Sequence, residues 1–205
     1  MGQLPEATGR TVVSMDAYAM LMGVLAAGGA RYRILDHPPE GRTREASALR
    51  GHPDSKAAKC IVARVKLSRR DACYALVVVP GDRQVDFGKL SELMGGSRAS
   101  FALRETAEAL TGCISGSIIP FSFNPDLCLI ADQGLLRHDE VFFNAARLDR
   151  SVALSTEDYV TLARPRVEAV ADRGAPADAE AGGEDAGHLA DALSGGADGG
   201  APWTI

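Results

Sequence analysis

The sequence predicts an α+β fold: a curved, mixed β-sheet flanked by short helices. Three observations carry it. Two apolar, β-branched runs, CIVARVKLS and CYALVVVP, stand either side of Arg69, Arg70 and Asp71, the pattern of a hairpin. Three more short runs of that kind, LCLIAD, EVFFNA and SVAL, follow a glycine-rich loop. The helical patterns fall between groups of strands instead of alternating with them singly, which argues against a doubly wound parallel sheet.

Each element follows from local pattern. Ser14 is placed to cap a first helix, whose apolar positions Tyr18, Leu21, Met22 and Leu25 recur at helical spacing until Gly28 and Gly29 stop it. Tyr32 and Ile34 alternate with Arg31 and Arg33 in a short strand that ends at His37, Pro38 and Pro39. Thr43 can cap a short helix running to Leu49. Beyond the hairpin, residues 86–94 and 104–110 read as helices. Ser155 and Asp158 have the spacing of a capping box for a last helix that stops before Pro165.

A chain of 205 residues, 46% hydrophobic and 24% charged, suits one domain with an ordinary core. Residues 1–30 are expected to be an N-terminal extension with one helix packed on that domain, and residues 31–168 the domain itself. Residues 171–205, rich in Ala, Gly and Asp, bury too little apolar surface to order and are expected to form a disordered tail. That tail holds seven acidic residues against Arg173 alone, more than the whole net charge of −5. The body, with 21 Lys and Arg against 20 Asp and Glu, is nearly neutral, so intrinsic affinity for RNA is expected to be modest. No apolar stretch reaches the roughly 18 residues a helix needs to cross a bilayer. The first apolar run follows Asp16 and not a basic segment, so a cytoplasmic protein is expected.

The four cysteines, Cys60, Cys73, Cys113 and Cys128, form no C-x-x-C pair and are expected to be small buried thiols. His37, His52, His138 and His188 show no metal-ligand spacing, so neither metal nor other cofactor is expected. Familiar catalytic motifs are missing. No lysine follows Gly116 and Ser117 to make a phosphate loop, and Ser115 sits one place late for a nucleophile elbow. What stands out is TGCISGSIIPF, residues 111–121, whose Gly112, Gly116 and Pro120 shape a loop rich in free backbone amides. A tight helix-to-strand connection and a ligand-binding nest are equally good readings of those residues alone.

The order of RILDHPPEGRTREASALRG, KAAKCIVARVK, ALVVVPGDRQVDFGKLSELMG, LTGCISGSIIPF, LIADQGLL and FNAARLDRSVALSTEDYVTL is more specific. Together, over residues 32–162, these segments resemble the YbaK/ProX family, aminoacyl-tRNA deacylases related to the editing domain of bacterial prolyl-tRNA synthetases. The resemblance implies that Gly116-Ser117-Ile118-Ile119-Pro120 walls the pocket for the aminoacyl end. Gly116 then supplies backbone catalysis, and Ser117, Ile118 and Pro120 contact the substrate. Lys59 matches the family's important lysine and would hold a phosphate or orient the ester, with Lys56 its competitor. Thr43 borders the pocket or serves only as a helix cap. Asp132 and Asn144 face the substrate amino group or satisfy backbone donors, and His37 reads as a surface histidine. The family is thought to lack a side-chain nucleophile and to use the substrate's own ribose hydroxyl, in keeping with the missing triad. Two departures stand out: Ala146 and Ser117 replace glycines frequent in relatives.

The function implied is a trans-editing hydrolase that deacylates mischarged aminoacyl-tRNA, a small amino acid on proline tRNA foremost, by water attack on the ester. A synthetase pocket gains only about 1–3 kcal/mol from one methylene, so a second sieving site is needed. Ile118, Ile119, Phe121 and Phe123 are candidates for that sieve, with core packing as their alternative. The expected partners are the aminoacyl-tRNA acceptor end and prolyl-tRNA synthetase, and neither a membrane nor DNA. A catalytically silent tRNA- or synthetase-binding module, or a deacylase for another acyl ester, are the alternatives.

Overall fold

The computed structural model describes residues 16–172. From Asp16 the chain runs α1 (Ala17–Ala27), β1 (Tyr32–Asp36), α2 (Thr43–Arg50), β2 (Ala58–Lys66), β3 (Ala72–Pro80), α3 (Phe87–Leu93), β4 (Arg98–Phe101) and α4 (Arg104–Thr111). It continues with β5 (Leu127–Asp132), β6 (Glu140–Asn144), β7 (Arg150–Ser155), α5 (Thr156–Ala163) and β8 (Arg166–Glu168). The expected hairpin is the backbone of the fold: β2 and β3 pair antiparallel along their whole length, Ala58 opposite Pro80 and Lys66 opposite Ala72.

The expected strands divide between two sheets. A mixed one has the order β4-β2-β3-β5-β8, with β3, β5 and β8 parallel; an antiparallel one has the order β1-β7-β6. A single bridge between Ala57 and Phe142 links them. Along β3, Leu76 and Val78 enter one core while Ala75, Val77 and Val79 enter another. Burial on both faces is why this run reads as continuous apolar sequence without alternation. The first core fills the space between the sheets and takes in Leu21 and Leu25 of α1; the second lies under α3. Each such fully buried Leu or Val stabilises the fold by about 1.5–3 kcal/mol.

Several local expectations are corrected. The cap of α1 is Asp16, whose carboxylate accepts from the Tyr18 amide at 3.0 Å; Ser14 lies outside the described residues. Thr43 is the first residue of α2, not its cap. The preceding amides of Gly41 and Arg42 go instead to the Glu40 carboxylate. Ser155 makes no capping hydrogen bond at α5; its hydroxyl accepts from Arg31 Nη2 at 3.0 Å, and the Asp158 carboxylate accepts from the Arg31 backbone amide at 2.8 Å and Nε at 3.0 Å. Cys60 and Cys113 are buried as expected, but Cys73 is half-buried and Cys128, on the outward side of β5, is exposed. The tail does not begin at residue 171: Ala171 bridges to Val85, and residues 173–205 lie outside the described residues. Among the described residues no helix is long and apolar enough to cross a membrane.

Candidate active site

A narrow cleft opens where α2, the start of β2, the glycine loop and β6 meet. Gly41, Thr43, Ala46 and Arg50 line one side; Gly116, Ile118, Phe142 and Asn144 line the other. Backbone contact sets the shape of the glycine loop. Gly116 has φ +89°, and a Cβ there would lie 2.9 Å from Gly41 Cα, while one on Gly41 would lie 3.2 Å from Gly116 Cα. Two glycines are what so close an approach requires.

Polar groups lock that contact. Asn144 Nδ2 donates to the carbonyls of Glu40 and Gly116, both at 2.8 Å, and so ties the two glycine segments together. Ser151 Oγ donates to Asn144 Oδ1 at 3.0 Å and lies 2.7 Å from His37 Nε2. The ring of His37 therefore braces Asn144 through Ser151. Behind the loop, Glu108 accepts from the Ser115 amide at 2.9 Å and its hydroxyl at 2.8 Å. The Arg104 side chain foremost, then these Ser115 donors, hold the Glu108 carboxyl down to about 2. Glu40 is held at about 2 as well, by the Arg42 side chain first and its amide next.

Sequence-expected residues separate into three groups. Thr43, Gly116, Ile118 and Asn144 border the cleft together. Ser117 and Pro120 are buried beside it, and the Ser117 hydroxyl turns back to the Ile114 carbonyl at 3.0 Å. Among the described residues the amides of Gly116 and Ile118 meet no acceptor. Asp132 does not reach the cleft. Its carboxylate accepts from the amides of Gly134, Val170 and Ala171, at 2.7, 2.9 and 2.8 Å, and anchors the C-terminal segment. Of the four sieve candidates only Ile118 lines the cleft. Ile119 and Phe121 are core, and Phe123 is exposed beside α1.

Lys59 borders the cleft, but its side chain shares the parity of Ile61, which faces the second core. Its Nζ donates to the carbonyls of Gly81 and Arg83, and burial lowers its pKa. This turn abuts the cleft rim, since a Cβ on Gly81 would lie 2.7 Å from Thr43 Cγ2. Two of the three ammonium donors are thus used by the fold.

Arg50 is the residue sequence reasoning missed. It folds back along α2 so that Nε donates to Ala46 O at 2.9 Å, while Nη1 donates to Ser151 Oγ at 3.2 Å. Among the described residues it forms no ion pair; burial lowers its pKa to about 10, against the opposing charge of Asp54. The available signal was spacing: positions 43, 46 and 50 share one helix face, and Ala46 is buried.

The cleft is small and largely apolar, and unpaired backbone amides stand on its glycine-loop side. The family model for the aminoacyl-tRNA editing domain matches residues 37–162. The chain belongs to that family and is an aminoacyl-tRNA deacylase, an ester hydrolase. Over 148 residues it is 39% identical to the Escherichia coli (strain K12) protein named multifunctional Ser/Thr-tRNA deacylase ProXp-y, covering 72% of this chain and 88% of that one. Two solved structures share the fold. The hypothetical protein APE2540 aligns with a TM-score of 0.67 at 24% identity, covering 74% of this chain and 99% of that one. A candidate trans-editing enzyme for prolyl tRNA synthetase aligns with a TM-score of 0.64 at 23% identity, covering 76% and 97%.

Proposed function

We propose that this chain acts in trans on tRNA carrying a small wrong amino acid, serine and threonine foremost, and hydrolyses the ester. The observation that carries the reading is the pair of unpaired amides, Gly116 and Ile118, on one wall of a small cleft. Water adds to the ester carbonyl, and these amides receive the oxyanion that develops. Collapse breaks the acyl–oxygen bond, and the terminal ribose hydroxyl leaves with a proton. Free amino acid and uncharged tRNA are the products. One such donor is worth about 2.7–4 kcal/mol in comparable sites. In this reading Lys59 acts from behind the rim, its Nζ holding the Gly81–Arg83 turn that abuts Thr43.

Support for serine and threonine comes from the name of the 39%-identical relative. The expectation of proline tRNA, with prolyl-tRNA synthetase as the delivering partner, is supported by the family resemblance and by the name of one structural neighbour. The test is deacylation of preformed seryl-, threonyl-, alanyl-, cysteinyl- and prolyl-tRNAs, on proline, serine and threonine acceptors. Rapid loss of seryl or threonyl esters, with correctly charged prolyl-tRNA spared, is expected. Rates equal to spontaneous hydrolysis for every ester overturn the reading and favour a binding module.

A further inference from the structure

We propose that Arg50 and Thr43 form the subsite that recognises the side-chain hydroxyl of the amino acid being removed. The assignment rests on the deacylase reading above, but its evidence is separate.

Both residues lie on the cleft-facing side of α2, with Ala46 between them. Two of the guanidinium's three nitrogens are engaged, Nε by Ala46 O and Nη1 by Ser151 Oγ. Nη2 has no partner among the described residues. The Thr43 hydroxyl is also without one there, since it caps nothing. A half-buried guanidinium thus keeps one donor free at a cleft whose lining includes Ala46, Ala57, Ala58, Ile118 and Phe142.

The chemistry of the ligand follows from what the cleft lacks and offers. An arginine has donors only, and a threonine hydroxyl both donates and accepts. A substrate hydroxyl fits the pair, accepting from Arg50 Nη2 and donating to Thr43 Oγ1. The backward reach of Arg50 over one helical turn brings its guanidinium toward Thr43, which sits seven residues earlier. The same cation repels the substrate's α-ammonium, so the acyl group enters side chain first toward α2. Discrimination then works by leaving polar groups unpaired: an alanyl or 2-aminobutyryl ester strands the Arg50 donor and the Thr43 acceptor, which is the strong form of selectivity.

The experiment compares kcat/KM for seryl- and alanyl-tRNA, and for threonyl- and 2-aminobutyryl-tRNA, in wild type, Arg50→Met, Arg50→Lys and Thr43→Val. Wild type is expected to favour each hydroxyl ester over its deoxy partner. Arg50→Met should shrink that ratio about 10- to 100-fold, as loss of a charged hydrogen bond predicts, and Thr43→Val should shrink it less. Arg50→Lys, with a donor of different reach, should recover part of it. Melting temperatures separate recognition from folding. An unchanged ratio in Arg50→Met, with both esters slowed alike, overturns the assignment and leaves Arg50 a brace for Ser151. A parallel loss that disappears with 3′-seryl-adenosine, which lacks the 5′-phosphate, also overturns it and moves Arg50 to the terminal phosphate. If wild type hydrolyses no ester, the deacylase reading fails first, which is a distinct result.

Discussion

Asn144 and Asp132 look alike in the sequence and do different work in the fold. Each closes a β-strand, each is buried, and each was expected at the substrate. Asn144 sits where β6 meets the glycine loop and spends both its N–H donors on the carbonyls of Glu40 and Gly116, so it sets the spacing of the cleft walls. Asp132 sits at the far end of β5 and spends its carboxylate on three amides, two of them in the segment after β8. Burial of a polar side chain therefore says only that it has partners. Which backbone supplies those partners decides whether the residue shapes the site or fastens the chain.

The largest effect should come from the site side, at Gly116→Ala. The added Cβ would press on Gly41 Cα at 2.9 Å, in a backbone conformation of φ +89° that alanine adopts at a cost of about 1–2 kcal/mol. Displacing the loop misaims the amides, and deacylation should fall about 100-fold or more. A variant within a few-fold of wild type would remove the loop amides from the mechanism and erase the distinction between the two ends.

The comparison is sharpest with Asn144→Ala and Asp132→Asn side by side. Asn144→Ala leaves two carbonyls without donors and unlinks the cleft walls; we expect a 10- to 100-fold loss of kcat, with binding less affected. Asp132→Asn weakens three charge-assisted bonds to the C-terminal segment. It should lower stability by about 2–3 kcal/mol, a fall in Tm of roughly 4–12 °C, while the folded fraction stays active. The reverse pattern, a stable but inactive Asp132→Asn, would return that residue to the substrate.

The hairpin was legible because β2 and β3 are long and apolar on both faces. β4 was not: RASF is a four-residue edge strand that pairs, among the described residues, with β2 alone, so most of its reason for being a strand lies outside itself. β8, of three residues, is hidden for the same reason. At the site, glycine spacing and the resemblance led to Gly116, Ile118 and Asn144. The turn of Lys59 toward the Gly81 and Arg83 carbonyls, and the idle donor of Arg50, are set by parity and by tertiary neighbours that no local pattern contains. Removal of Lys59 tests that correction, since Lys59→Ala should disturb the turn against Thr43 as well as any contact with the ester.

A smaller effect should distinguish loops by pH. Glu108 holds the Ser115 amide and has a folded-state pKa near 2, below its ordinary 4.5. Its contribution is fully present above about 4.5 and is lost as pH falls toward 2. The carboxylate is partly exposed, so the magnitude is modest, about 0.2–1 kcal/mol. Glu108→Gln should therefore cost stability at pH 6 and almost none near pH 2, giving a flatter acid limb in a Tm titration. A limb parallel to wild type would show that Ser115 is held by something else.

The smallest effect belongs to Ala146, in the turn from β6 to β7, where the resemblance leads one to expect glycine. Its φ is +57°, a left-handed conformation, and its amide donates to Asn144 O at 3.1 Å. Ala146→Gly relieves about 1–2 kcal/mol of backbone strain. It also gives up a methyl group packed against the main core and adds freedom to the unfolded chain, together worth nearly as much. The net change should stay within about 0.5 kcal/mol, a Tm shift under about 2 °C. Ala146→Val has no such compensation, because a β-branched side chain is poorly suited to positive φ, and it should destabilise by about 1–3 kcal/mol. Activity in Ala146→Gly should match wild type, since the residue holds the turn beside Asn144 and does not border the cleft. A Gly variant that gains a full kcal/mol would mean that the methyl contributes nothing and that the strain at this turn is uncompensated.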